Sequence, residues 1–246
     1  MYIPISSISA LCGRNPYCSK YQATREVLER YNKTLFDKLT KEYYKVYHEE
    51  YKSDLVDKTI RYQQFKSANP NFVEKVSTTG DVGDMLNKLP KDISSKILME
   101  RGAKREEIIR NMLAEKYRVE YDNSMMYKTF EVNGISYKIG GRVDLFLLDD
   151  YGNRIGVFEI KSRRSLKKEI PSYDIDQIAG YRVVSGLFKF ALVEEYNLKL
   201  RESWFTINTL DNLWIEMKPK LDSWVLKMKY YENNPMEGLY ILSDQM

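Results

Sequence analysis

Two neighbouring apolar segments that carry charged side chains constrain this sequence most strongly. Val143–Leu148 and Ile155–Lys161 are separated by a short polar turn, and they contain Asp144 and Glu159. Segments that are apolar on both faces are typical of central strands buried within a sheet. We therefore expect a buried β-hairpin that carries two carboxylates into the core.

The length of the turn predicts which residues face each other across this hairpin. If Asp150–Asn153 forms the loop, residue 148 pairs with residue 155, and Asp144 falls opposite Glu159. Opposed residues of an antiparallel pair have Cβ atoms about 4.5–5.5 Å apart on one face. The sequence thus predicts that the two carboxylates lie side by side.

Two carboxylates this close in a partly desolvated setting repel each other strongly. Either one of them is protonated or a divalent cation lies between them, because Lys161 on the same face supplies one charge against two. A structural ion pair is the alternative, since Glu-x-Lys also occurs at 50–52 and 216–218, where helices are predicted. The apolar strands and the register of Asp144 favour the metal site.

Composition limits the class of metal that this site could hold. The chain has 246 residues, with two cysteines, Cys12 and Cys18, and one histidine, His48. This set excludes a zinc enzyme, an iron–sulfur cluster and a His-dependent triad. Oxygen ligands remain, and they point to Mg²⁺ or Mn²⁺. Two thiols, with no apolar run of about 18 residues, predict an intracellular protein, cytoplasmic or with access to the nucleus.

Hydrophobic periodicity predicts helices first and strands later. A loop or insertion is expected at 66–92, and a break in the second helix near Gly102. The predicted elements are helices at 22–62 and 93–116, a β-meander at 117–161 with a hairpin at Asn133-Gly134, a helix at 173–186, strands at 188–193 and 204–207, and a helix at 210–231. This order predicts an α/β (α+β) fold, a mixed central β-sheet flanked by helices with an N-terminal helical extension.

The hairpin resembles the signature of the PD-(D/E)xK nuclease superfamily. Gly140-Gly141-Arg142-Val143-Asp144, followed by Phe158-Glu159-Ile160-Lys161, is similar to the branch of lambda-type exonucleases, YqaJ-like recombinases and RecB-type nuclease domains. The sequence departs from the signature because no proline precedes the aspartate, as is common in the RecB-like branch.

Three further motifs extend the resemblance in the same chain order. They are Gly102–Glu106 on a helix, Gln177–Tyr181, which resembles a QxxxY motif, and Ile3–Tyr17, which resembles the opening motif of YqaJ-like enzymes. The resemblance implies a restriction-endonuclease-like nuclease core at 96–246, and an N-terminal helical region at 1–95 with a motif that binds DNA ends.

The resemblance also implies a set of metal ligands. Asp144 and Glu159 would hold one Mg²⁺ together with the carbonyl group of Ile160. Glu106 would support the metal directly or through water, and Glu107 is the alternate if the register slips by one.

By the same resemblance, three side chains would act beside the metal. Lys161 would position the attacking water, and Gln177 and Tyr181 would orient the substrate or the active-site loop. The alternative is structural: Gln177 as an ordinary helix-surface residue and Tyr181 as ordinary core.

A second group of residues is expected to contact nucleic acid. A net charge of +4 is only a weak hint of an anionic partner, but five basic residues follow the catalytic strand at 161–168. Phosphate contacts position the backbone without reading sequence, so little sequence specificity is expected. A solvated charge run is the alternative. The candidates are Ser6, Arg14, Arg142, Arg163, Arg164, Lys167 and Lys168.

The implied function is a Mg²⁺-dependent deoxyribonuclease, an exonuclease of the lambda or YqaJ type that hydrolyses DNA from duplex ends in recombination, repair or replication. Such enzymes work as homo-oligomers or with a single-strand annealing protein, some of them as phage or viral proteins inside a host cell. Two alternatives remain: a nuclease-fold DNA-binding or scaffold protein without catalysis, and an endonuclease acting on DNA or RNA.

Overall fold

The computed structural model describes residues 1–48, 51, 54–78, 83–163, 165–196 and 199–242. The chain forms a mixed α/β fold with mixed sheets flanked by helices, so the predicted fold class is confirmed. In chain order the elements are β1 (Tyr2–Pro4), α1 (Ile8–Leu11), α2 (Lys20–Tyr31), α3 (Lys33–Tyr47), α4 (Asp54–Ala68), α5 (Pro70–Thr78), α6 (Gly83–Asn87), α7 (Lys91–Lys116), β2 (Val119–Glu120), β3 (Met125–Val132), β4 (Ile135–Arg142), β5 (Leu145–Leu148), β6 (Arg154–Ser162), α8 (Ser172–Ser185), β7 (Lys189–Tyr196), β8 (Lys199–Phe205) and α9 (Ile207–Asn233), with 3₁₀ turns at Ile5–Ser7 and Pro235–Ile241.

The strands form two sheets rather than one continuous meander. The smaller sheet has the order β1-β4-β3, and the larger has the order β2-β5-β6-β7-β8. In the larger sheet β6 and β7 are parallel and are connected through α8, while the other pairs are antiparallel. The chain passes from one sheet to the other at Val143-Asp144, between β4 and β5.

Helices cover both faces of the larger sheet, which explains why its strands are apolar on both sides. Phe158 and Ile160 of β6 pack with Ile109 and Leu113 of α7. Val157, pointing the other way, belongs to the core that contains α8 and α9. Because side chains alternate along a strand, the odd-numbered positions of β6 face α8.

The Asn133-Gly134 hairpin is confirmed and has a local cause. Both residues have positive φ angles, 47° and 74°, between β3 and β4. Asn and Gly tolerate this conformation, and it gives a two-residue turn whose twist matches the flanking strands. The hairpin fixes β4, from which the chain enters the site region.

The helical N-terminal region is divided more finely than predicted. The stretch 22–62 contains most of α2, all of α3 and the first part of α4. The predicted loop at 66–92 is wrong over most of its described length, since the end of α4, α5, α6 and the start of α7 occupy it. Residues 79–82 of that stretch lie outside the described residues. Among the helices of the described ranges, none is both long and apolar enough to cross a bilayer.

The predicted break near Gly102 is wrong, because α7 is continuous from Lys91 to Lys116. One glycine in a helix costs about 1 kcal/mol relative to alanine. Buried apolar residues on both sides of it, Ile97 and Ile109, pack against different clusters and outweigh that cost.

The N-terminus belongs structurally to the main core. β1 pairs in parallel with β4, and Ile3, Ile5 and Ile8 are fully buried in the cluster that contains α8 and α9. α7 runs across residue 95, where the two predicted domains would meet. The division into 1–95 and 96–246 stays a prediction.

Two glycines should respond to alanine in opposite directions. A Cβ on Gly156 would overlap the backbone carbonyl and the Cβ of Lys189 on the adjacent strand β7, whereas a Cβ on Gly102 would meet nothing. We expect Gly156→Ala to lower the free energy of unfolding by about 2 kcal/mol or more and Gly102→Ala to raise it by about 0.5–1 kcal/mol. Urea denaturation of both variants checks this. A stable Gly156→Ala protein would contradict the close approach of β6 and β7.

Candidate active site

The register of β5 and β6 places the two predicted carboxylates next to each other. Leu145 pairs with Phe158, and continuing this register by one residue puts Asp144 beside Glu159. A carboxylate oxygen of Asp144 accepts a hydrogen bond from the backbone N–H of Ile160 at 2.8 Å. Asp144 is therefore held against the strand that carries Glu159.

Nearer the turn, the predicted pairing of residue 148 with residue 155 is wrong. Leu148 pairs with Arg154 because the register shifts by one between Leu147 and Leu148. The turn is closed by Asp149, whose N–H donates to the Asn153 carbonyl at 2.9 Å. The irregularity lies at the turn end of the hairpin, so it leaves the pairing near Asp144 unchanged.

Lys161 and Gln177 complete the contacts of Glu159. Lys161 Nζ lies 2.5 Å from Glu159 Oε1. The side-chain amide of Gln177 donates to the same oxygen at 2.8 Å and accepts from Lys161 Nζ at 3.2 Å. Because positions 159 and 161 face α8, which carries Gln177, the three groups form a closed set of contacts.

Tyr181 lies one turn further along α8 and fixes the strand that leads to Asp144. Its hydroxyl group donates to the Arg142 carbonyl at 2.7 Å and accepts from Gln177 Nε2 at 3.4 Å. Tyr181 is buried, and burial raises its pKa well above the ordinary value. It therefore remains a neutral donor that positions the backbone two residues before Asp144.

α7 brings Glu106, rather than the exposed Glu107, to the site. The Arg110 guanidinium donates to a Glu106 oxygen at 3.1 Å and to the Asp144 carbonyl at 3.1 Å. Burial, and next the negative charge of Asp144, raise the pKa of Glu106, against the opposing effect of Arg110. Glu106 is thus close enough to Asp144 to feel its charge.

Desolvation governs the electrostatics of the acidic pair. Burial raises the pKa of Asp144, and the hydrogen bond from Ile160 opposes that rise. Burial also raises the pKa of Glu159, and the neighbouring Asp144 raises it further. For Lys161, burial lowers the pKa, but the charge and hydrogen bond of Glu159 together with the charge of Asp144 outweigh burial, and the net direction is upward. Lys161 is therefore a protonated donor at neutral pH.

The donor set fits an oxygen-bound divalent cation. Glu159 is only 2% exposed, and its Oε2 atom is buried without a hydrogen-bond partner among the described residues. An unsatisfied buried carboxylate oxygen is costly unless a proton or a cation meets it. The described ranges hold no group of three or more His, Cys, Asp or Glu side chains placed for a metal. Two carboxylates nevertheless match Mg²⁺, which commonly takes one or two and fills its other positions with water and substrate phosphate.

Two predicted nucleic-acid contacts are engaged with carboxylates. Arg14 Nε lies 2.9 Å from Asp176, and Arg163 donates to Asp174 at 2.5 Å and to Glu194 at 3.0 Å. These guanidinium groups anchor elements to one another, so direct phosphate binding by either one stays a prediction that this geometry does not favour.

The other predicted contacts remain on the surface. Ser6, Arg142, Lys167 and Lys168 are exposed, and Arg142 donates to Asn123 at 2.7 Å. Arg164 lies outside the described residues.

The buried ion pairs of β7, the strand next to β6, were not predicted from the sequence. Glu194 and Glu195 of β7 are at most 1% exposed, and Glu195 pairs with Arg105 of α7 and accepts from Ser162 Oγ at 2.9 Å. The signal was available, since two glutamates directly continue the apolar strand Phe190–Val193. Acidic residues inside a buried strand require cationic partners.

Comparison with known proteins gives distant structural similarity only. No protein-family model matches the chain, and no curated protein matches it. The solved structure of SSO0001 is similar with a TM-score of 0.39 and 19% identity, covering 76% of this chain and 84% of that one. The alkaline exonuclease LHK-Exo from Laribacter hongkongensis is similar with a TM-score of 0.40 and 10% identity, covering 68% of this chain and 97% of that one. Its complex with dAMP gives a TM-score of 0.43 and 13% identity, with coverages of 70% and 92%. At this level the neighbours assign no family, and the function must be argued from the site.

Divalent cations should stabilise the protein more at high pH than at low pH. The folded protein holds protons on Asp144 and Glu159 more tightly than the unfolded chain does, because the pKa of each is raised. Without a cation, the free energy of unfolding therefore falls as the pH rises above about 4, which is the pKa of these carboxyl groups in the unfolded chain. Mg²⁺ or Mn²⁺ should offset that loss, so the cation-induced rise in Tm should be larger at pH 8 than at pH 5.5 by differential scanning fluorimetry.

Asp144→Asn tests whether this response comes from the acidic pair. The amide removes the repulsion but keeps an oxygen for the Ile160 N–H. We expect a higher cation-free Tm at pH 8, by about 2–4 °C for each kcal/mol gained, and little response to cation. Asp150→Asn, in the exposed turn, is the matched control and should behave as wild type. An unchanged cation response in Asp144→Asn would refute a metal at this pair.

Proposed function

We propose that this protein is a Mg²⁺-dependent deoxyribonuclease that hydrolyses DNA phosphodiesters from ends, an exonuclease of the lambda or YqaJ type. Mn²⁺ would substitute for Mg²⁺. The substrate would be duplex DNA with a free end, in recombination, repair or replication.

One observation carries the proposal. Asp144 and Glu159 form a desolvated carboxylate pair at two inner strands of a sheet. Glu159 Oε2 lacks a hydrogen-bond partner among the described residues, and the protonated Lys161 Nζ lies 2.5 Å from Glu159 Oε1. A purely structural ion pair between Glu159 and Lys161 would not need Asp144, whose negative charge adds to burial in raising the pKa of Glu159. Phosphodiester hydrolysis needs this set, since charge builds on the phosphoryl oxygens while water attacks.

Each residue of the site would have its own chemical role. Asp144 and Glu159 would hold the cation, with the Ile160 carbonyl, and Glu106 would support it. Mg²⁺ would supply Lewis acidity toward a phosphoryl oxygen and lower the pKa of water. Lys161 is protonated, so it cannot be the base; it donates hydrogen bonds that orient the water or stabilise the developing negative charge.

Gln177 and Tyr181 would position this machinery. Gln177 contacts both Glu159 and Lys161, and its amide orientation fixes which group donates to which. Tyr181 holds the Arg142 carbonyl, from which the chain enters the site. Neither group needs to touch the substrate to affect the rate.

Lys161→Ala is the direct test of the proposed chemistry. With Mg²⁺ and a linear end-labelled duplex, wild type should release nucleotides, and the variant should be slower by about 10²–10³-fold. Lys41→Ala, an exposed lysine of α3, is the matched control and should keep wild-type activity. Equal cleavage by wild type and Lys161→Ala would overturn the assignment.

The form of the DNA separates the finer alternatives. An exonuclease should degrade the linear duplex and leave covalently closed circles intact, whereas an endonuclease would nick both. DNA binding that is indifferent to Mg²⁺, with no cleavage of any DNA or RNA, would instead support a scaffold protein.

Tyr181→Phe tests the positioning role separately. The substitution removes one hydroxyl group and keeps the buried ring. We expect the cleavage rate to fall about 10-fold, with a higher Mg²⁺ concentration needed for half-maximal rate, and DNA affinity in EDTA unchanged. A merely structural role would lower stability without moving the Mg²⁺ dependence.

A further inference from the structure

A cluster of two tyrosines and a lysine lies beside the candidate site, on the surface. The rings of Tyr17 and Tyr173 meet edge to face, with centroids 5.9 Å apart and an interplanar angle of 86°. Lys167 Nζ lies 4.9 Å from the centroid of Tyr17 and 5.9 Å from that of Tyr173, and it donates to the Tyr17 hydroxyl at 3.1 Å. We call these three residues the Tyr17 cluster.

The cluster adjoins the site through helix α8. Tyr173 precedes Gln177 by four residues, and residues four apart lie one above the other on a helix face. Gln177 in turn contacts Glu159 and Lys161. A polymer bound at the acidic pair and extended by one helical turn would therefore reach Tyr173.

Buried carboxylates hold the lysine side of the cluster in place. Arg163 joins Asp174 of α8 to Glu194 of β7, with both carboxylates at most 2% exposed. Arg201 contacts Glu194 at 2.9 Å and donates to the Lys167 carbonyl at 2.7 Å. The segment that follows β6 is thus fastened to α8 and β7.

A second buried carboxylate holds the other side. Asp176 of α8 is fully buried and accepts from Ser9 Oγ at 2.7 Å and from Arg14 Nε at 2.9 Å. This ties the N-terminal segment to α8 three residues before Tyr17. The cluster is therefore assembled from three separate parts of the chain that buried ions fix together.

The exposure of Tyr17 is not explained by packing. Its side chain is 72% exposed, although a tyrosine ring is among the larger apolar surfaces a protein can bury. Single-stranded nucleic acid binds to aromatic rings on which its bases stack and to positive charges that contact its backbone. The exposed ring of Tyr17 and the neighbouring lysine supply both, next to the proposed phosphodiester site.

We propose that the Tyr17 cluster stacks an unpaired base of single-stranded DNA next to the candidate site, with Tyr17 as the stacking ring and Lys167 meeting the backbone. This inference rests on the proposed function and defines its substrate further: the strand entering the site would be single-stranded over at least one nucleotide. If the ring of Tyr17 served a protein partner instead, Tyr17→Ala would bind single-stranded DNA as wild type does, and that result would overturn the proposal.

The test measures binding without catalysis. A fluorescent oligothymidylate of about 12 nucleotides is titrated with the full-length protein in EDTA, and anisotropy is recorded. Tyr17→Ala should weaken binding about 10-fold, while Tyr17→Phe, which keeps the ring, should bind as wild type. Tyr151→Ala, which removes a ring that is 91% exposed in the β5–β6 turn, is the control. Lys167→Ala should reduce the slope of log affinity against log salt by about 1.

An oligonucleotide of abasic sites separates stacking from phosphate contact. Wild type should bind it about as weakly as Tyr17→Ala binds the normal strand, and Tyr17→Ala should lose nothing further. An equal loss for Tyr17→Ala on both oligonucleotides, or none on either, would overturn the proposal, as would failure of wild type to bind single strands. Circular dichroism checks that Tyr17→Ala is folded.

Cleavage assays keep this proposal distinct from the proposed function. If wild type degrades duplex DNA and Tyr17→Ala binds single strands as wild type, the stacking proposal fails and the nuclease assignment stands. If no cleavage occurs but binding depends on the ring of Tyr17, the cluster is a single-strand contact on a protein without nuclease activity.

Discussion

The repulsion between Asp144 and Glu159 is the constraint around which this region of the structure is built. Strand pairing brings the two carboxylates together, since β5 and β6 are central strands and a shift of one residue would turn every side chain of the shifted strand to the opposite face of the sheet. The neighbouring contacts offset the resulting energy only in part. Lys161 and Gln177 satisfy one oxygen of Glu159, the Ile160 N–H satisfies one of Asp144, and Glu159 Oε2 is left without a partner among the described residues.

The parts of the site that depend on local sequence could be predicted from it. The two apolar segments and the short turn between them predicted that Asp144 lies beside Glu159, and the error of one residue at Leu148 did not affect this pair because the register shift lies at the turn. Asn133-Gly134 likewise determines its own turn through two positive φ angles. These features depend on neighbours along the chain, so a single sequence contains the necessary information.

The parts that depend on distant pairing could not be predicted. Nothing local shows that the chain changes sheets between β4 and β5, or that β1 adds to the smaller sheet. The same holds for the arginines. Arg14 and Arg163 read as free cations near the site, but carboxylates 162 and 31 residues away in sequence accept their hydrogen bonds, and burial makes such pairing obligatory.

The positive charges around α8 differ in whether a buried carboxylate accepts their hydrogen bonds. The acidic residues Asp174 and Asp176 are buried at its N-terminal end, and each takes an arginine from a different segment. Those arginines therefore serve to fix segments rather than to attract an anion. What they fix is the surface next to the site, where Lys167 and Tyr17 remain exposed. The basic residues predicted to contact nucleic acid are therefore of two kinds. The paired arginines hold segments of the chain in place, and the exposed lysine can contact a polyanion.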